Sequence, residues 1–213
     1  MVYNYIVNNN KGEIQMKNHK WGTESFNSSP IHIVLFVSRN KDNRDVAGFK
    51  ERRRSYITHD AIDSEDLHKK FMEFVYSGVP GEMARLYYSV NDRDPEKIYT
   101  ELMHFLLDNP NFNICDIQPK LAGIANTPAC RKSKHWMFDF DIDDATKVLE
   151  FINDIKTIDN SVQVTYRKTP HGYAVVVDHG FDTRTLYEKW DRSLTECKKD
   201  DLLLVEWATK GEI

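Results

Sequence analysis

Between Trp136 and Asp143 large apolar residues alternate with carboxylates. On an extended strand Trp136, Phe138, Phe140 and Ile142 share one face, and Asp139, Asp141 and Asp143 share the other. At Asp144 the spacing lengthens to that of a helix, with Val148, Leu149, Ile152 and Ile155 on its inward stripe and an end near Thr157 to Asn160. Val162, Val164 and Tyr166 then alternate with Gln163, Thr165 and Arg167 as a second strand, and Thr169-Pro170-His171-Gly172 turns the chain back into a third, Tyr173 to Val177. Asp182 is placed to cap a helix through Leu186, Trp190 and Leu194, and Leu202 to Trp207 reads as a closing strand. The order over this stretch is β-α-β-β-α-β.

Upstream, Ile31 to Val37 is a β-branched run that predicts a buried strand. Tyr56-Ile57-Thr58 reads as an edge strand behind the basic run Arg52-Arg53-Arg54, whose ordinary role is a solvated face and whose other is phosphate contact. Ser64 caps a helix carrying Leu67, Phe71, Phe74 and Val75, stopped at Gly78-Val79-Pro80; Met83 to Val90 returns to strand. Pro95 opens a second helix with Ile98, Leu102, Phe105 and Leu106 inward. Asn109 to Lys134, punctuated by Pro110, Pro119, Gly123 and Pro128, predicts a long connection with at most short elements. The expectation is an α+β protein forming one compact unit. It comprises an irregular arm over 1–30, a smaller N-terminal α/β half over 31–134, and an RRM-like, ferredoxin-like half over 135–213.

Composition narrows the classes. A chain of 213 residues, 40% hydrophobic, is long enough to bury a sizeable core. A net charge of −4 argues against a non-specific nucleic-acid coat and confines any such contact to a local basic surface. Cys115, Cys130 and Cys197 match neither a zinc site nor a disulfide framework, which points to a reducing cytoplasm, the host's if the source is viral. No apolar run approaches the roughly 20 residues of a membrane-spanning helix, and the start lacks a signal peptide's basic region, so neither a membrane nor a leader is expected.

In the ferredoxin-like arrangement the first strand lies between the third and fourth, antiparallel to both. Gly172 and Ala174 then fall beside Asp139 and Asp141. If Leu203, Val205 and Trp207 face the helices, Glu206 joins the two aspartates on the open face; Arg167 falls there too, with Lys168 and His171 in the adjoining turn. Arg131, Lys132 and Lys134, just ahead of the acidic strand, read either as a basic rim to it or as a plain charged loop. Three carboxylates beside a basic edge suit Mg2+ or Mn2+ holding a polyphosphate.

The stretch 135–213 resembles the catalytic core of the archaeo-eukaryotic primase (primase-polymerase) superfamily, especially small bacteriophage members. The resemblance rests on Phe138-Asp139-Phe140-Asp141, on the hairpin Lys168 to Val177, and on Val205-Glu206. It implies an RRM-like half carrying two-metal nucleotidyl transfer on nucleoside triphosphates and single-stranded DNA or RNA. Asp139, Asp141 and Glu206 would be the metal-binding and catalytic acids. Arg131, Lys134, Arg167, Lys168, His171 and Gly172 would meet the nucleotide, and replication partners would act in trans. The chain departs from the family at Ala174, where the hairpin normally has a histidine two residues after the glycine, and at Glu206, where an aspartate is usual.

Other readings remain open. Asp139, Asp141, Asp143 and Glu150 match positions of an EF-hand loop, but Asp144 stands where that loop wants glycine. A haloacid-dehalogenase-type phosphatase wants Thr or Val where Asp143 stands. A primase-fold protein that binds nucleotides or single strands without turnover is the chief alternative, since open sheets do so by stacking and phosphate contact.

Overall fold

The computed structural model describes residues 30–211, so the arm expected over 1–30 lies almost wholly outside the described residues. Two four-stranded antiparallel sheets organise the rest. The first contains β1 (His32–Ser38), β2 (Arg52–Thr58), β3 (Met83–Ser89) and β8 (Leu202–Thr209) in the order β2-β1-β3-β8. The second contains β4 (Trp136–Phe140), β5 (Val164–Thr169), β6 (Gly172–Val177) and β7 (Thr195–Lys198) in the order β5-β6-β4-β7. The fold is α+β, as the sequence predicts.

In the second sheet β4 lies between β6 and β7 and is antiparallel to both, the expected order. Its closing strand is β7, however, and Leu202–Trp207 belongs to the first sheet as part of β8. The expected helix after Asp182 shrinks to one turn, α5 (Leu186–Lys189), which starts beyond Asp182 and ends before Leu194. Chain is thereby left over for Thr195-Glu196-Cys197-Lys198, which pairs along β4 from Phe140 to Met137.

Helix α4 (Ala145–Ile158) starts where Asp144 accepts hydrogen bonds from the Thr146 and Lys147 backbone N–H groups, at 2.8 and 3.2 Å. Its buried stripe is Val148, Phe151, Ile152 and Ile155, packed on Phe138, Phe140, Val164, Val175 and Val177. Leu149, expected inward, is 49% exposed: it lies about 100° round the helix from Val148, and Phe151 fills the stripe instead. Phe151 meets both Phe138 and Phe140, at ring-centroid distances of 5.4 and 5.1 Å, adding roughly 0.5–1.5 kcal/mol per pair beyond area burial. These contacts anchor the apolar face of β4 and direct its other face outward.

The first sheet is covered differently. Helix α1 (Glu65–Tyr76), capped by Ser64, lays Leu67, Phe71, Phe74 and Val75 across one face. On the other face α2 (Pro95–Asp108) and α3 (Ile117–Ala125) cover only one end, where Ile98, Ala122, Ile124 and Ala125 meet Ile31, Ile33 and Ile57. Helix α3 occupies what the sequence reads as connection; Pro119 falls in its first turn, where no backbone donor is required. Leu35, Val37, Arg53, Arg85 and Tyr87 are left facing an open cleft.

A polar joint ties the halves together. Asn91 is fully buried, and its amide donates to the His135 and Lys199 carbonyls and to Asp200 while accepting from Ser133 and the His135 N–H. Arg93, also fully buried, grips Asp200 through both guanidinium amino groups at 3.0 and 2.9 Å. Both chain crossings between the sheets are pinned here. The strand-to-helix turn therefore serves structure, with Asp94 capping α2.

Candidate functional site

A cleft of about 500 Å³ opens between the uncovered faces of the two sheets. The second sheet presents Met137, Asp139 and Ala174, the Thr169-Pro170-His171 turn, and Asp141 just past the end of β4. Cross-strand pairing explains the company these residues keep: Arg167, Ala174, Asp139 and Glu196 form one row across β5, β6, β4 and β7, and Thr165, Val176, Met137 and Lys198 form the next. Residues in such rows share a face. Asp139 and Asp141 are thus brought to the cleft together, as their spacing predicts.

Their electrostatics is mixed. Lys198 donates to Oδ2 of Asp139 at 2.9 Å, so the aspartate that no lysine neighbours along its own strand acquires one across the sheet. Burial opposes the Lys198 charge, but the hydrogen bond and charge of Asp139 outweigh it and hold the ammonium above its ordinary pKa. Asp141 is held above the usual carboxylate range, first by burial and then by the negative charge of Asp139, with Lys198 and His171 pulling the other way.

Gly172 has a structural task. A Cβ there would stand 2.0 Å from the Phe140 carbonyl oxygen, so only glycine lets β6 start beside the end of β4. Its neighbour His171 is exposed and lines the cleft. Ala174 is buried directly opposite Asp139 and, with Met137 and Leu203, packs the second sheet against β8. No polar group occupies its place.

Several expected residues lie elsewhere. Glu206 pairs across the first sheet with Leu86, which faces α1; it therefore reaches His68 on that helix, 3.0 Å away, and does not line the cleft. The register slips between Leu86 and Tyr87, and membership of the first sheet is what overturns the expected facing. Arg167 is spent on Asp63, at 2.6 Å, and on the Val205 carbonyl, bracing β5 against β8. Lys168 sits on the helix side of its strand with Asp143 and over the Tyr173 ring. Arg131 binds the Lys199 carbonyl, and the exposed Lys134 does not line the cleft. Of the nucleotide-binding set only His171 lines it.

The opposite wall carries a second set of charges, among them Arg53 from the basic run for which phosphate contact is one of two expected roles. Arg53, Val37 and Arg85 form a row across β2, β1 and β3, and the turn after β1 adds Arg39, Lys41 and Asp42. Asp42 accepts from Arg39 at 2.9 and 3.1 Å and from Arg85 at 2.8 Å. Burial would raise the pKa of Asp42, yet these guanidinium groups keep it below the usual carboxylate range. Arg85 interrupting the apolar pattern of Ala84 and Leu86 was the available signal. Among the described residues no group of three or more His, Cys, Asp or Glu side chains is arranged to hold a metal ion. No helix of the described residues is long and apolar enough to cross a membrane. Family models, curated proteins and solved structures offer no significant match to this chain.

Proposed function

We propose that the cleft is the site of a primase-polymerase-type nucleotidyltransferase acting on nucleoside triphosphates and single-stranded nucleic acid. One observation carries the reading: Asp139 and Asp141 converge on one wall of a nucleotide-sized cleft whose other wall is cationic. The donor set fits one Mg2+ or Mn2+, because Lys198 engages only Oδ2 of Asp139 and Asp141 adds a second carboxylate that no salt bridge among the described residues engages. Bound there, the ion would supply charge neutralisation to a triphosphate. Phosphate and water oxygens would complete the shell, because no third His, Cys, Asp or Glu among the described residues is arranged with the pair; Glu196, beside Asp139 on the same row, adds negative charge to the pair rather than a ligand. His171 in the exposed turn would donate to phosphate oxygens, and Met137 with Ala174 would form the apolar floor.

A second reading, binding without turnover, is favoured by the Lys198–Asp139 ion pair and by Ala174, which offers no donor opposite Asp139. Titration calorimetry with a nucleoside triphosphate and Mg2+ or Mn2+, on the wild type and on Asp139→Asn/Asp141→Asn, tests the site. Metal-dependent binding is expected to disappear in the double variant, and equal binding in both proteins would remove the aspartates from consideration. Template-directed extension with Mn2+ separates the two readings: short products that fall about 10²–10³-fold in His171→Ala mark an enzyme. Binding with no products marks a binder.

A further inference from the structure

The cationic wall has a chemistry of its own. Arg39, Lys41, Arg53 and Arg85 stand there against the single carboxylate of Asp42, whereas the facing wall carries Asp139, Asp141 and Asp201 against Lys198 and His171. We propose that this wall is a phosphate subsite, distinct from the aspartate pair, that takes a multiply charged terminal phosphate group without needing a divalent ion. The inference rests on the proposed nucleotide reading only in sharing its cleft.

Arg85 carries the argument. The residue is 7% exposed, one of its amino groups is held by Asp42, and its Nε is buried with no hydrogen-bond partner. Arg93 Nε is buried and unpartnered in the same way, but Arg93 is spent on Asp200, whereas Arg85 lines the cleft and Asp42 engages only one of its amino groups, so a phosphate oxygen in the cleft can take up the donor capacity that Asp42 leaves. Asp42 holds Arg39 and Arg85 together, which fixes the guanidinium planes before any ligand arrives. Arg53 and Lys41 are exposed, with no ion-pair partner among the described residues, on the same side of the cleft. Helices α2 and α3 stop short of this end of the sheet, leaving Lys41 and Arg53 exposed and Arg39 half-exposed above the buried Arg85.

The facing wall selects the kind of phosphate. In the metal-free protein a continuous strand lying in the cleft would run its backbone charges past Asp139, Asp141 and Asp201, where like charges repel until a divalent ion neutralises the aspartates. A terminal group, whether the tail of a nucleoside triphosphate or the 5′-phosphate of a strand, places its charge on the cationic side alone. The subsite therefore favours charge density over length.

The test uses the full chain in chelator-containing buffer with inorganic tripolyphosphate as the probe. Binding that weakens with salt is expected, and Lys41→Ala/Arg53→Ala should lower the affinity about 10- to 100-fold. Both side chains are exposed, so the variant should fold; an unchanged melting temperature checks this, and Lys41→Gln/Arg53→Gln serves as a second pair. Asp139→Asn/Asp141→Asn should keep metal-free tripolyphosphate binding, a result independent of whether it abolishes metal-dependent nucleotide binding. Parallel titrations with a nucleoside triphosphate and with oligonucleotides bearing a 5′-phosphate or a 5′-hydroxyl identify the source of the group. Absence of tripolyphosphate binding, unchanged binding in both Lys41/Arg53 variants, or equal binding of the two oligonucleotides through these residues would overturn the proposal.

Discussion

The two sheets match in strand number and in antiparallel pairing, yet they are clothed differently. The second has helices on one face and gives the other to the cleft and to β8; the first has α1 across one face and α2 with α3 over only an end of the other. A sheet face must be buried or be polar enough to meet water. Where both coverings stop, the strands have exchanged apolar residues for charge: arginines on β2 and β3, aspartates at the end of β4. The cleft is thus a product of incomplete coverage, and its two signs of charge come from two separately built layers.

Breaking the joint between the layers should have the largest effect. Arg93→Ala removes one member of a buried, doubly hydrogen-bonded pair and leaves Asp200 uncompensated, with an expected loss of about 3–5 kcal/mol in urea unfolding. A loss below about 1 kcal/mol would mean that the Asn91 network, the Arg167 brace and the apolar contact of Met137, Ala174 and Leu203 suffice to hold the layers together. Next comes the second layer itself. Gly172→Ala sets a methyl group against the Phe140 carbonyl and should cost about 1–3 kcal/mol, whereas Gly123→Ala, with nothing within 4 Å of its Cβ, should be neutral or stabilising. Equal midpoints for the two variants would show that β4 and β6 can separate at that end.

The smallest effect sharpens the assignment of acids to walls. Glu206→Gln loses only a partly exposed pair with His68, worth at most about 1 kcal/mol, and should leave metal-dependent nucleotide binding unaltered. Glu196→Gln should weaken that binding at the same stability. The opposite ranking in calorimetry would return Glu206 to the site and require β8 to present another face.

Why the sequence revealed β4, α4 and the hairpin but misplaced the closing strand follows from where each signal is stored. The alternation from Trp136 to Phe140 and the stripe of Val148, Ile152 and Ile155 are local patterns, and so are the Asp144 and Ser64 caps. Leu202-Leu203-Leu204-Val205 is equally local as a strand, but an apolar run carries no record of which sheet it joins, and Thr195-Glu196-Cys197-Lys198 offers too little apolar character to compete. Choosing the wrong sheet carried Glu206 to the wrong face and hid Glu196 and Lys198 together. The pairing of Asp42 with Arg39 and Arg85 spans a turn and a distant strand, and no periodicity encodes it. The aspartate pair was legible because both members lie on one short stretch.

The return of β8 to the first sheet also sets an order of events during synthesis. All four strands of the second sheet lie between Trp136 and Lys198, so that layer can pair and bury its aromatic core as soon as this stretch has left the ribosome. The first layer begins earlier, with β1 at His32, yet β3 keeps an unpaired edge until Leu202–Thr209 emerges. An unpaired strand edge invites wrong partners. The half that starts first is therefore the half that finishes last, and the nascent chain carries its open edge past the whole of the other layer.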